Sequence, residues 1–227
     1  MSTPGLLRQS ALVAGKDLRI EGRSRVVLNQ VVPFGGVVLF LFAFALDPDR
    51  GVLRAAAPGL FWVTVLLAAL LALGRAFAIE SDRDIRDALR LSGLDGGAVF
   101  LGKAAAVAIQ LLVVEVFLAV GVVMLFDMPI EGLAVLTISA VVATAGLATC
   151  GAIYGVLAAG AHMRETLLPL LVLPVTAPVL LSATRAWEAG LEGVAADAWP
   201  WIGLLAVFTA IYTSLGFIAF EPLLEEA

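Results

Sequence analysis

Six apolar stretches, each long enough to cross a bilayer, alternate with short polar breaks at about 26–46, 56–78, 98–126, 132–160, 166–184 and 200–220. A helix rises 1.5 Å per residue, so roughly 20 apolar residues span a hydrocarbon core about 30 Å thick. Ahead of them, residues 1–25 set Leu6, Leu7, Val13, Leu18 and Ile20 among Arg8, Lys16, Asp17, Arg19, Glu21, Arg23 and Arg25. That segment is too polar to span, and its pattern predicts an amphipathic helix lying on the membrane surface. Residues 221–227 form a short tail. The pattern as a whole predicts an all-α integral membrane protein: an N-terminal interfacial helix (1–25), a six-helix transmembrane domain (26–220) and the tail.

One polar break has a periodicity of its own. In Ala78–Gly93, AIESDRDIRDALRLSG, Ser81 and Asp84 have the spacing of a capping box. Ile85, Ala88 and Leu89 recur at i, i+3 and i+4, with Ser92 continuing the stripe. Arg83 with Asp87 and Asp82 with Arg86 form i, i+4 pairs on the other faces, and Gly93 is a natural stop. A solvated loop would explain the charges but not the apolar stripe. The stripe predicts a short amphipathic helix over 81–92 that docks on a partner.

Composition narrows the class. The chain of 227 residues is 61% hydrophobic and 15% charged, with a mean hydropathy of +1.03. Soluble domains carry about a quarter of their residues as charges, so this one belongs in a membrane. A net charge of −5 offers no basic face for nucleic acid. The single cysteine, Cys150, excludes an internal disulfide and any metal or iron–sulfur site built on several cysteines. The first 25 residues show no apolar core or cleavage site of a secretory signal.

Lysine and arginine set the expected orientation. The N-terminal segment, 75–97, 161–165 and the tail hold ten of them; 47–55, 127–131 and 185–199 hold three; Lys103 lies just inside the third span. The richer side is expected to be cytosolic, with both termini inside. Trp187, Trp199 and Trp201 are then expected in an aromatic belt at the outer interface.

The spans differ in kind. The first holds Asn29, Gln30, Pro33, Gly35 and Gly36, which predicts an irregular or kinked start. The fourth carries Gly151, Gly155 and Ala159 at four-residue spacing, a stripe that lets another helix approach closely. The fifth has Pro169, Pro174 and Pro178, and such breaks in lipid call for neighbouring protein or a cavity to satisfy the freed carbonyls. No internal repeat is evident, which argues against an inverted-repeat transporter.

Candidate chemistry is sparse. Gly97-Ala-Val-Phe-Leu-Gly102-Lys103 matches the first seven positions of a phosphate-binding loop, but Ala104 stands where Ser or Thr must hold Mg²⁺, and a membrane helix surrounds it. No nucleotide site is expected on this chain. Glu115 lies twelve residues past Lys103, about 18 Å along a helix and near mid-membrane. An ionisable group at that depth marks either a functional site or a hydrogen bond to a Thr or Ser of the fourth span. His162, the only histidine, falls in a polar turn with no second ligand placed opposite it. Cys150 reads as a small buried residue. No nucleophile–base pair or metal-ligand spacing is present, so neither catalytic nor metal residues are assigned.

Taken together, 57–80 (APGLFWVTVLLAALLALGRAFAIE), 98–104 (AVFLGKA) and 164–181 (RETLLPLLVLPVTAPVLL) resemble the haem exporter protein B (CcmB) family. The resemblance covers nearly the whole chain, and its most specific element is the proline-rich fifth span after Arg164-Glu165. Relatives often place a proline after the short helix where this chain has Gly93-Leu-Asp. The resemblance implies a permease of the ABC-2 type (type V exporter-like), a non-catalytic membrane subunit of a cytochrome c maturation complex in the bacterial inner membrane. It also implies two copies in the assembly, ATP bound by a separate CcmA-like ATPase, and haem handled by CcmC- and CcmD-like membrane partners. This chain itself then binds no cofactor, and its outer surface contacts membrane lipid. The 81–92 helix, with Ser81, Ile85, Ala88 and Leu89, becomes the candidate ATPase-coupling element. Two other readings share part of the pattern: an ABC-2 permease for lipid or drug, and a stand-alone secondary transporter using Glu115. CcmA and CcmC homologues in neighbouring reading frames would decide among them.

Overall fold

The computed structural model describes residues 5–45, 50–78, 93–126, 132–159 and 164–226. The predicted 81–92 helix, with Ser81, Ile85, Ala88 and Leu89, lies outside the described residues, as does His162.

The amphipathic N-terminal segment is helix α1 (Leu6–Ser24), and it buries Gln9, Val13 and Ala14 while Leu7 and Leu12 stay exposed. The helix stops at Arg25, whose φ of 51° is left-handed and whose N–H reaches back to the Glu21 carbonyl at 2.7 Å. Glu21 then closes the corner, its carboxylate accepting the Val27 N–H at 2.6 Å. Val27–Val31 forms a π-helical turn leading into α2 (Val32–Ala45). Pro33 has no N–H to return to the carbonyl at 29, so the ladder is interrupted where the turn widens. The expected irregular start of the first span is this turn.

Five long helices follow: α3 (Arg50–Ala78), α4 (Gly96–Phe126), α5 (Leu133–Ala159), α6 (Arg164–Leu191) and α7 (Ala195–Glu226). With Val27–Ala45 they make six segments long and apolar enough to cross a membrane, and the described residues contain no strand. The protein is an all-α, multi-pass integral membrane protein. Its fifth span extends past residue 184 to Leu191, and α7 continues through the expected tail to Glu226.

Small residues determine which helices meet. A Cβ at Gly151 would collide with Leu73, and one at Gly155 with the Phe77 ring, so the predicted stripe on α5 receives α3. On another side of α5, Gly146 faces Phe208 and Thr209 of α7, and the Thr209 hydroxyl donates to the Val142 carbonyl at 3.0 Å. Helix α5 thus sits among α3, α4, α6 and α7, while α2 packs at the edge on α3 and α4.

Two aromatic clusters fill the interior. One holds Phe61, Trp62 and Trp187: Phe61 and Trp187 stack at 4.0 Å, and Trp62 meets them edge-on at 5.4 and 5.6 Å. The other, nearer the termini, holds Phe77, Phe100 and Phe220. The expected place of Trp187 in an outer belt is therefore corrected. Because α6 runs on to Leu191, residue 187 is still helical and its face turns inward onto Phe61; Trp199 remains exposed.

The three prolines of α6 leave the helix continuous. Pro174 and Pro178 are exposed, whereas Leu168, Val172, Thr176, Val179 and Ala183 make the buried face. Pro174 and Pro178 therefore sit on the side turned away from this chain's own bundle, and Pro169 is half-buried.

Candidate functional site

Glu115 is the one acidic side chain buried among the described membrane spans, at 5% exposure on α4. Its Oε1 accepts the hydroxyl hydrogen of Thr144 on α5, and the bond bridges two spans. Both residues lie eleven positions from the end of their helix remote from the termini, Phe126 for one and Leu133 for the other, about 16 Å deep at 1.5 Å per residue. The structure thus supplies the hydrogen bond to a threonine of the fourth span that the sequence left open. The second carboxyl oxygen, Oε2, is buried and makes no hydrogen bond within the chain. A polar atom in that state is costly in hydrocarbon.

A second polar constellation lies where α1 crosses the start of α4. Lys103 is buried to 2% exposure, with its ammonium 3.7 Å from Asp17 Oδ2 and 5.1 Å from the centre of the Phe77 ring. Gln9 accepts the Asp95 N–H at 2.9 Å, and Asp95 caps α4 by accepting the Ala98 N–H at 3.1 Å. The glycines of the phosphate-loop-like heptad have packing roles here. A Cβ at Gly102 would stand 2.6 Å from Val13 Cβ and 2.7 Å from the Ser10 carbonyl, and one at Gly97 would strike the Phe217 ring. Lys103, the position that would hold phosphate in such a loop, points into the helix junction. Helix α1 is therefore clamped to the start of α4.

The remaining predicted site residues separate. Gly151 and Gly155 face α3; Pro169, Pro174 and Pro178 lie on α6; and Glu115 is paired with Thr144. Sequence reasoning missed the Lys103–Asp17 link, whose partners are 86 residues apart, and the stack of Phe61 on Trp187. The matching depths of Glu115 and Thr144 were the one available signal for a pairing across spans.

The sequence matches the family described as CcmB protein over residues 8–225. Proteins named Heme exporter protein B are similar along most of their length. The one from Rhodobacter capsulatus is 30% identical over 200 residues, covering 88% of this chain and 91% of that protein. The one from Paracoccus denitrificans is 30% identical over 203 residues, covering 86% and 88%. That of Pseudomonas aeruginosa is 28% identical over 184 residues, covering 81% and 82%. With a match running from α1 to the last turn of α7, this six-span protein belongs to the CcmB family.

Proposed function

We propose that this chain is the membrane-spanning permease subunit of an ABC complex serving cytochrome c maturation, and that it catalyses no reaction itself. The observation that carries the reading is the family match over 8–225, with relatives named as haem exporters that align along about nine-tenths of their length. ATP is bound and hydrolysed by a separate CcmA-like subunit, and CcmC- and CcmD-like membrane proteins handle haem. The work of the cycle is release of a haem-loaded chaperone. Two copies of the chain sit in the assembly, in the bacterial inner membrane, with both termini cytosolic.

Within that scheme the 81–92 segment takes the ATPase contact, with Ser81 capping and Ile85, Ala88 and Leu89 facing the partner. Its flanking helices support the assignment. Lys103, near the start of α4, meets both Phe77, near the end of α3, and Asp17 of α1 at the end of the bundle that the Lys and Arg bias gives to the cytosol. A movement of the segment would be felt at that junction.

The test is deletion of the gene with readout of haem-stained c-type and spectroscopic b-type cytochromes, complemented by the full chain bearing an affinity tag. Loss of c-type cytochromes alone, and co-purification of an ATPase with the tagged chain, is the expected result. Normal c-type cytochromes in the deletion strain, with altered lipid export or drug sensitivity, would move the chain to another ABC-2 function.

A further inference from the structure

A cavity of about 250 Å³ opens between α1, the π-helical turn, α3 and α4, beside the junction of Lys103 and Asp17. Val27, Val31 and Ala72 line it with buried apolar surface. Two opposite charges come to it from different helices, Glu21 from α1 and Arg75 from α3. Glu21 is oriented by the Val27 N–H, which its Oε1 accepts, and the Arg75 guanidinium donates to Gln30 Oε1 at 3.3 Å. Among the described residues neither charge forms an ion pair, with the other or elsewhere. Deeper in lies Gln110 of α4, half-buried and seven residues, about 10 Å, past Lys103. Among the described residues its amide makes no hydrogen bond, although it stands near the middle of the span Gly96–Leu125.

We propose that this cavity seats one glycerophospholipid whose head carries both a phosphate and a primary ammonium, with the phosphate at Arg75, the ammonium at Glu21 and an ester carbonyl at the Gln110 amide. The order of groups along the cavity is that of such a lipid: charges at the mouth, an uncharged hydrogen-bonding group deeper, and apolar surface between them. An anionic head would satisfy Arg75 but set its charge against Glu21, and a cation would do the reverse. A zwitterion completes both. A guanidinium takes a phosphate through two parallel N–H groups, and the bond to Gln30 leaves donors for it. Gln110 is a donor as well as an acceptor, so a carbonyl of the ligand relieves the cost of an unbonded amide at that depth. The volume is below the roughly 300–1,000 Å³ of a drug-sized site, so head and glycerol enter while the acyl chains stay in the bilayer. No His, Cys or Met lines the cavity, so it offers haem iron no such ligand. This lipid is additional to the ATPase and haem-handling partners assigned above and does not depend on them.

The experiment places the full chain, with the subunits that co-purify with it, in nanodiscs of equal parts phosphatidylethanolamine and phosphatidylglycerol. Native mass spectrometry then counts the lipids that stay bound on release. One phosphatidylethanolamine per chain is expected, preferred over phosphatidylglycerol about tenfold, the worth of one charge-assisted hydrogen bond. Glu21→Gln keeps an acceptor for the Val27 N–H and should bring that ratio to about one, with some lipid still retained. Gln110→Leu should lower retention of both lipids alike and leave the ratio unchanged. Arg75→Met should abolish retention. Ala76→Phe obstructs the cavity without removing a charge and should do the same, which keeps the test open if Arg75→Met does not accumulate. Equal retention of the two lipids, or a preference that Glu21→Gln leaves intact, would make the bound lipid an ordinary annulus and overturn the proposal. Binding of soluble glycerophosphoethanolamine with the same dependence on Glu21 and Arg75, and no retained lipid, would give the cavity to a free zwitterion and overturn it equally.

Discussion

The Lys103 ammonium lies 3.7 Å from the Asp17 carboxylate and over the Phe77 ring, so one side chain of α4 joins the N-terminal helix α1 to α3. Breaking a buried pair leaves a charge without its compensation, which typically costs about 3–5 kcal/mol when both partners are fully buried. Asp17 is 19% exposed and also 3.1 Å from Lys16, so Asp17→Asn is expected to cost less, about 1–3 kcal/mol. Thermal unfolding in detergent reads this as a drop of several degrees, with partial recovery in the Asp17→Asn/Lys103→Met double variant. An unchanged midpoint in Asp17→Asn would show that the link contributes nothing.

Gly155 is expected to be intolerant of a side chain. Val in its place must displace the Phe77 ring, which is itself fully buried, and overpacking of this kind costs about 1–3 kcal/mol. Gly203 has open space where a Cβ would go, so Gly203→Ala should be neutral or slightly stabilising. Steady-state protein in the membrane and the unfolding midpoint compare the two. Equal loss for both would mean that close approach of α3 and α5 is not what Gly155 provides.

Glu115→Gln should keep both accumulation and cytochrome c yield near normal, because the amide can still bond Thr144. Glu115→Leu should lose about 1–2 kcal/mol of stability through the lost interhelical hydrogen bond. Immunoblots and haem-stained gels measure the two quantities separately. Should Glu115→Gln abolish cytochrome yield at normal protein level, the carboxyl must be gaining and losing a proton in the working cycle.

Ile85→Asp or Leu89→Asp would place a charge in the contact proposed for 81–92, with an expected loss of several kcal/mol of binding. Asp82→Asn touches only an exposed ion pair on the sequence pattern, worth about 0.3–0.5 kcal/mol. Co-purification of the ATPase and cytochrome c yield, at matched membrane levels, separate the two cases. Full binding and full yield in both Asp variants would reduce the segment to a solvated loop.

A reporter active only in the periplasm, fused after Ala227, should remain silent if the Lys and Arg bias sets the orientation proposed above. Periplasmic activity would invert the orientation of every helix.

The architecture was legible because each span is a predominantly apolar run long enough to cross, and in hydrocarbon such a run satisfies its backbone groups as a helix. Glu115 was legible as an isolated polar group, and its partner could be narrowed to a hydroxyl of the fourth span because only residues at equal depth can meet. Trp187 was not legible in the same way. Whether a tryptophan near a span's end anchors at the interface or turns inward depends on how far its helix runs and on which face opposes it, and Phe61 lies more than a hundred residues earlier. The heptad at 97–103 shows a further limit. Glycines that admit a phosphate and glycines that admit a neighbouring helix satisfy the same spacing, and only the contacts of Val13, Ser10 and Phe217 distinguish them.

The corner at Arg25 gives α1 a mechanical allegiance that its place in the chain conceals. By covalent order it is the neighbour of α2, yet a left-handed residue and a widened turn separate the two, while Gln9, Val13 and Asp17 fasten it to α4. Helix α1 is in effect an outrigger of α4: load applied to the amino terminus passes into α4 and, through Lys103, to Phe77 of α3. Helix α2, standing at the periphery with little of its surface covered, is left out of that linkage. Its own close contacts are with α3 and α4, where Gly35 admits Thr64 and Leu118, so the first span is seated by those two helices and α1 by α4.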